Sequence, residues 1–256
     1  MKIAIAGGTG TVGRHVTELV SRLGHQPVVL SRSTGVDLVT GDGVSSALDG
    51  VDGVIDVVNT STLSAQASTR FFGTATATLL KAEAAAGVRH HVTLSIVNAD
   101  TVSAGYYAGK AVQEEAVKRG AVPWTLLRAT QFHEFAAQTL ERGSRGILTL
   151  VPVMRTQPVA ALEVAQRLVE LAVGPPRGQV PDLGGPREER LVDMVRDYAR
   201  ATRTRTRIVQ FKLPGRMGTA MRDGTLLPAP NTERGAQSFA QWLDGIAHPK
   251  PTGQQP

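Results

Sequence analysis

The chain has 256 residues, 41% of them hydrophobic, with no cysteine and a formal net charge of +6. That length and apolar content predict a globular protein with a real core, and they exclude an intrinsically disordered chain. Without cysteine there is no disulfide framework, thiolate metal site or cysteine nucleophile, and the composition fits a reducing cytoplasm. Most of the positive surplus lies in the C-terminal half, in runs such as TRTRTR at 202–207. No aromatic residues interleave that run for base stacking, so it reads as the solvated edge of a strand, and no nucleic-acid partner is expected. No apolar run approaches the ~18 residues of a membrane span, so no membrane partner is expected either.

In chain order, residues 2–6 form a short apolar strand. Residues 11–23 place Val12, Val16, Leu19, Val20 and Leu23 at helical spacing. Strands follow at 27–30, 36–39 and 51–58, then an Ala-rich helix over 69–86 stopped by Gly87. A strand at 92–97, a helix at 110–118 and a strand at 124–129 complete the regular part. Strands separated by helices of this size predict a doubly wound parallel sheet of the Rossmann type, covered on both faces. Beyond residue 130 the alternation loosens. Helices are expected at 131–142, 160–173, 188–201 and 239–246, with strands at 147–151 and 208–211. The predicted organisation is a dinucleotide-binding core over 1–130, completed by about 158–185. Residues 131–157 and 186–256 form a smaller C-terminal substrate lobe.

Residues 7–13 read GGTGTVG. Gly8, Gly10 and Gly13 fit G-x-G-x-x-G, with Gly7 in addition. Glycine permits the tight turn off the strand, close backbone approach to a pyrophosphate, and close packing of the helix on the strand. The backbone of Gly7, Gly8, Thr9, Gly10, Thr11, Val12 and Gly13 would then hold a dinucleotide at the positive end of the following helix. Sites that prefer NAD usually place an acid about 20 residues further on, for the ribose 2′-hydroxyl. Here the second strand ends in Ser31-Arg32. A guanidinium grips a 2′-phosphate that a carboxylate would repel, so NADP(H) is favoured over NAD(H).

Tyr106 and Lys110 are four apart and share one helix face. An ammonium beside a phenol is expected to lower the phenol pKa, so that Tyr106 exchanges a proton at a carbonyl or alcohol during hydride transfer. Ser95, at a strand end, is placed to hydrogen-bond the substrate oxygen.

The glycine loop, Ser95 and the Tyr106/Lys110 pair together resemble the short-chain dehydrogenase/reductase superfamily. GYYAGKAVQEE at 105–115, PWTLLRATQFHEF at 123–135 and VPDLGGP at 180–186 are most similar to its atypical, NmrA-like NAD(P)-binding branch. The resemblance implies that Asp42 contacts the adenine amino group and that Val58 and Asn59 line the nucleotide. It implies that Lys110 also holds the nicotinamide ribose. Residues 129–132 would lie beside the nicotinamide, so Thr130, Gln131, Phe132 and neighbouring His133 are the candidate substrate residues. Two features depart from the family pattern: Asn59-Thr60-Ser61 follows the fourth strand, and no Asn precedes Gly73-Thr74.

His133 is also read as a hydrogen-bonded structural histidine, and Phe71, Phe72 and Phe132 as core. His90 and His91 are read as loop residues, because nothing nearby completes a metal site, and no metal is expected. Arg128, inside an apolar strand, is either paired internally or projects at the strand end. The expected activity is NADPH-dependent hydride transfer to a small carbonyl or quinone-like acceptor. The alternatives are a non-catalytic NADP(H)-sensing regulator of the NmrA type, and nucleotide-sugar epimerase or dehydratase chemistry. The acceptor and the oligomeric state are open.

Overall fold

The computed structural model describes residues 1–62, 64–102 and 104–248. The chain divides into two compact units, the first made of Met1–Ala129 and Ala161–Leu183, the second of Thr130–Ala160 and Gly184–Pro256.

The first unit is a parallel sheet between helices. Its elements are β1 (Lys2–Ala6), α1 (Thr11–Arg22), β2 (Gln26–Leu30), α2 (Val44–Ala47), β3 (Gly53–Asp56), α3 (Ala65–Ala86), β4 (His90–Ile96), α4 (Gly105–Arg119) and β5 (Trp124–Ala129). Later come the helix Ala161–Val173 and a short strand Gly178–Gln179 beside β5. From the last strand the order is Leu183 against β5, then β4, β3, β1 and β2, with every pairing parallel. β2 and β3 lie on opposite sides of β1. The direction of winding therefore reverses there, and in open sheets of this kind such a switch point, at the carboxyl ends of the strands, is where ligands bind.

Side-chain alternation assigns the two faces. His90 approaches the backbone at Ala172 and Gly174, at the end of the helix Ala161–Val173. The next residue, His91, meets Glu83 of α3. Hence α3 and α4 cover the face bearing His91, Thr93 and Ser95, and α1 with the helix Ala161–Val173 covers the other. β1 and β3 are buried almost throughout, so they read as continuous apolar runs without alternation. No helix among the described residues is long and apolar enough to cross a membrane.

Two expected elements differ. Residues 36–39 are not a strand. The Asp37 carboxylate accepts from the Val39 and Thr40 amides at 2.7 and 3.3 Å, which folds the segment into a turn. The 202–207 run is not a strand edge either, since only Arg207 joins the strand Arg207–Phe211 and the residues before it form the connection.

The second unit combines a parallel pairing of Leu148–Pro152 with Arg207–Phe211 and an aromatic nucleus. There Trp242 stacks on Phe239 at 5.5 Å and on Tyr198 at 6.0 Å between centroids. His133 joins both Phe239 and Trp242 at 5.8 Å.

Candidate dinucleotide site and catalytic face

The glycine loop leaves β1 directly. Gly7 has φ +80°, the left-handed region that side chains disfavour, and a Cβ there would meet the Val57 carbonyl at 2.9 Å. At Gly13 a Cβ would lie 2.2 Å from the Gly7 carbonyl and 2.6 Å from Gly8 Cα. The loop and the first turn of α1 thus touch backbone to backbone. Gly10 caps α1 without any side-chain bond, and the first helical bond is Arg14 N–H to Gly10 O. The amides of Thr11, Val12 and Gly13 therefore precede the helical ladder, at the positive end of the dipole. Gly10 and Thr9 are exposed, and Val12 is buried beneath them. Free amides at a helix N-terminus on a glycine loop whose tight turn admits no Cβ at Gly7 or Gly13 suit a pyrophosphate.

Ser31 and Arg32 follow β2 in a single 3-10 turn, Arg32–Thr34. Thr34 Oγ1 donates to the carbonyls of Val29 and Ser31, and it accepts from the Ser31 amide at 3.1 Å. Arg32 is exposed, as is Asp42, whose carboxylate accepts from Thr40 Oγ1 at 2.7 Å. Val58 is half-buried and Asn59 exposed, just past the end of β3. An open depression beside the loop is lined by Gly8, Thr9, Arg14, Thr17 and Val29.

The catalytic candidates share the α3/α4 side of the sheet, but their contacts differ from expectation. Tyr106 stands edge-on to Phe72 at 5.6 Å. Lys110 Nζ lies 4.7 Å over the same Phe72 ring and donates to the Leu94 carbonyl at 2.7 Å and to Gln113 Oε1 at 2.5 Å. Gln113 Nε2 in turn donates to Asp56 Oδ2 at 2.7 Å. Burial brings Lys110 down to about 8, against the opposing pull of Asp56 and Glu114. The expectation of a lowered Tyr106 pKa is corrected. Burial pushes that phenol above its usual range, reinforced by Tyr107 and Asp56. The Lys110 charge is committed to Leu94 and Gln113 instead.

Ser95 is 4% exposed, and its hydroxyl lies beside Glu114 on α4. Directly opposite Ser95 in register is Arg128. Arg128 is paired internally. Its Nε and Nη2 donate to the two Glu114 oxygens at 2.8 and 2.6 Å, and Nη2 also reaches Asp100 Oδ2 at 2.9 Å. This fork ties β5 to α4 and to the connection between β4 and α4. Burial alone would raise Glu114, but Arg128 and Ser95 hold it below the usual carboxylate range. Asp182 is pushed upward by burial and by the negative charges of Glu114 and Asp100.

The reading of His90 and His91 as loop residues is also corrected. Both begin β4 and are buried. His91 Nδ1 sits 2.8 Å from Glu83 Oε1, with both side chains fully buried. No sequence signal short of the α3/β4 pairing exposes this, because residues eight apart on different elements have no fixed relation.

Of the substrate candidates, Thr130 is buried and donates to the Gln157 carbonyl at 2.6 Å. Half-buried Gln131 accepts from Thr156 Oγ1 at 2.8 Å, and Phe132 is half-buried. His133 is fully buried in the aromatic nucleus, with Nε2 at 3.1 Å from the Gln237 carbonyl. Its surroundings are those of the structural histidine. Among the described residues no group of three or more His, Cys, Asp or Glu is arranged to hold a metal.

The NAD(P)H-binding family model matches residues 7–172, from the glycine loop through the helix Ala161–Val173. The chain belongs to the NAD(P)H-binding family. Its Rossmann-type α/β fold is shared with solved structures of low sequence identity. A short-chain dehydrogenase/reductase superfamily protein from Agrobacterium tumefaciens with bound NAD is similar at a TM-score of 0.68 and 18% identity, covering 96% of each chain. A UDP-glucose 4-epimerase from Thermotoga maritima, solved with UDP-glucose, gives 0.72 at 14% identity, covering 96% of this chain and 97% of the other. An NAD-dependent NDP-hexosamine 5,6-dehydratase of tunicamycin biosynthesis gives 0.71 at 16% identity, covering 96% of each. No curated relative matches the chain by sequence. For this NAD(P)H-binding protein the matched span includes the glycine loop, Asp42, Val58, Asn59, Ser95, Tyr106 and Lys110.

Proposed function

We propose that the protein is an NADPH-dependent oxidoreductase of the atypical, NmrA-like type, reducing a small carbonyl or quinone-like acceptor in the cytoplasm. The observation that carries the reading lies within one unit. A helix N-terminus free of side-chain capping follows β1, and Ser95 on β4 lies on the side of the same sheet that α4, bearing Tyr106 and Lys110, covers. When bound, the nicotinamide nucleotide supplies the hydride. The backbone of residues 7–13 would hold its diphosphate, Asp42, Val58 and Asn59 its adenosine portion, and Lys110 the nicotinamide ribose.

Tyr106 fits the part of proton donor. A phenol whose pKa is raised by burial stays protonated at neutral pH and can donate to an oxygen that gains charge. Ser95 would orient that oxygen. Arg32 is exposed and no acid stands at residues 31–33 at the end of the second strand, which supports NADP(H) over NAD(H).

The sensing alternative is favoured by one observation. The Lys110 ammonium is engaged with Leu94 and Gln113, and the Ser95 hydroxyl is almost fully covered. Fluorescence titration with NADPH and NADH, followed by an acceptor screen with the preferred nucleotide, separates the readings. The oxidoreductase reading expects tighter NADPH binding and turnover of at least one acceptor. In Arg32→Ala, NADPH affinity should fall about tenfold with NADH affinity unchanged, equivalent to ~1.4 kcal/mol. Tight NADPH binding with no turnover would leave the sensor reading, and a clear NADH preference would remove the role of Arg32.

A further inference from the structure

We infer that Asp56 and Gln113 are positioning residues that hold the Lys110 ammonium in place and in its charged form, linking it to the wall of the glycine loop. The inference rests on the oxidoreductase reading only for what Lys110 then does. The linkage itself is a matter of geometry within the first unit.

Lys110 is 3% exposed, and a buried ammonium is costly unless its donors are met and its charge is opposed. Leu94 O and Gln113 Oε1 accept from it, and the Phe72 face lies beneath. Neither acceptor carries a charge. The nearest link to one runs through the amide of Gln113 to Asp56. The orientation of that amide is dictated by its neighbours. An ammonium has no acceptor and an ionised carboxylate no donor, so only oxygen toward Lys110 and nitrogen toward Asp56 satisfies both.

Asp56 is 1% exposed, and its second oxygen accepts from the Val58 amide at 3.0 Å. Val57 and Val58 are the backbone against which Gly7 packs. The chain of contacts therefore runs from the loop wall through Asp56 and Gln113 to Lys110. Its sequence signal is faint. Asp56 interrupts an otherwise apolar strand, and Gln113 stands three residues after Lys110 on the inward face of α4.

The other titratable groups that are not exposed on this side of the sheet are Glu83 on α3, His91 on β4, Arg128 on β5, and Tyr106, Tyr107, Glu114 and Lys118 on α4. Of these, Glu114 adds to the pull of Asp56 on Lys110. Glu114 is bound directly to Arg128, whereas Asp56 is joined to Lys110 through Gln113, so Asp56 is the carboxylate whose removal tests the linkage.

The test follows the full chain labelled with 13Cε-lysine by NMR across pH 6–11, with the Lys110 signal identified by its loss in Lys110→Met. The wild-type midpoint is expected near about 8. Gln113→Leu and Asp56→Asn should each lower it by about one unit, a tenfold change in proton affinity. Glu115→Gln, on the exposed side of α4 and paired with Arg119, should leave it in place. Asp56→Asn keeps the shape of the side chain, so it carries the test if Gln113→Leu fails to fold. A Lys110 midpoint unmoved in Asp56→Asn, or moved equally by Glu115→Gln, overturns the inference. No turnover enters this measurement. Shifted midpoints in a protein that reduces nothing would reject the oxidoreductase reading and leave the linkage standing.

Discussion

In the loop at residues 7–13, everything that prepares the site belongs to the backbone: a positive φ at Gly7, the close approach at Gly13, the uncapped start of α1. Around Lys110 and Ser95, everything belongs to side chains and their partners. The first kind of site is complete once the local chain is folded. The second exists only when α3, α4, β3, β4 and β5 have come together, and each polar group in it must be matched or its burial is unfavourable.

The sharpest way to break this contrast is Tyr106→Phe. It removes a hydroxyl from the side-chain site and leaves the loop untouched. Turnover should fall by roughly 10²–10⁴-fold, while NADPH affinity measured by fluorescence stays within about twofold. Unchanged turnover would deny Tyr106 its role.

Arg128→Ala tests whether the side-chain region carries stability as well as geometry. Glu114 would be left buried without its fork, and urea unfolding should show a loss of about 3–5 kcal/mol. A loss below about 1 kcal/mol would show that the connection between β4 and α4 is held otherwise.

Gly13→Ala probes the backbone region. The added methyl must displace the Gly7 carbonyl, so about 1–3 kcal/mol of stability and most NADPH affinity should go together. Loss of one without the other would separate the turn from nucleotide binding.

The smallest effect concerns pH. Burial draws the His91 pKa down, but the Glu83 charge and hydrogen bond outweigh it and the net shift is upward. A group that holds its proton more tightly when folded contributes most below its unfolded value of about 6.5, and loses that contribution as pH rises through the folded value. Wild type should therefore lose stability above pH 6.5 relative to Glu83→Gln. Parallel stability curves for the two proteins would deny the coupling.

The contrast also explains what was legible in the sequence. The glycine loop, the strand–helix alternation and the lack of an acid at residues 31–33 are local signals, and the structure carries each of them. The false strand at 36–39 arose because an apolar run of four does not show that Asp37 will close a turn on the following amides. The pairings His91–Glu83, Arg128–Glu114 and Lys110–Gln113–Asp56 depend on register between strands and on which helix face turns inward. Sequence alone left Arg128 with two placements and set His91 in a loop. The upward shift of Tyr106 was hidden for the same reason. Spacing on a helix shows that Lys110 can reach the phenol, but not that Leu94 and Gln113 will claim the amine first.

The chain's two tryptophans fall one to each unit, which makes the protein its own reporter of how it comes apart. Trp124 opens β5 in the first unit, and Trp242 stacks with Phe239 and Tyr198 in the second. With either indole replaced by phenylalanine, the emission that remains follows the melting of a single unit. Two superimposable curves would mean that the halves share one cooperative transition. Two separate curves would give the nucleotide-binding half a stability of its own, and nucleotide would raise only the Trp124 transition.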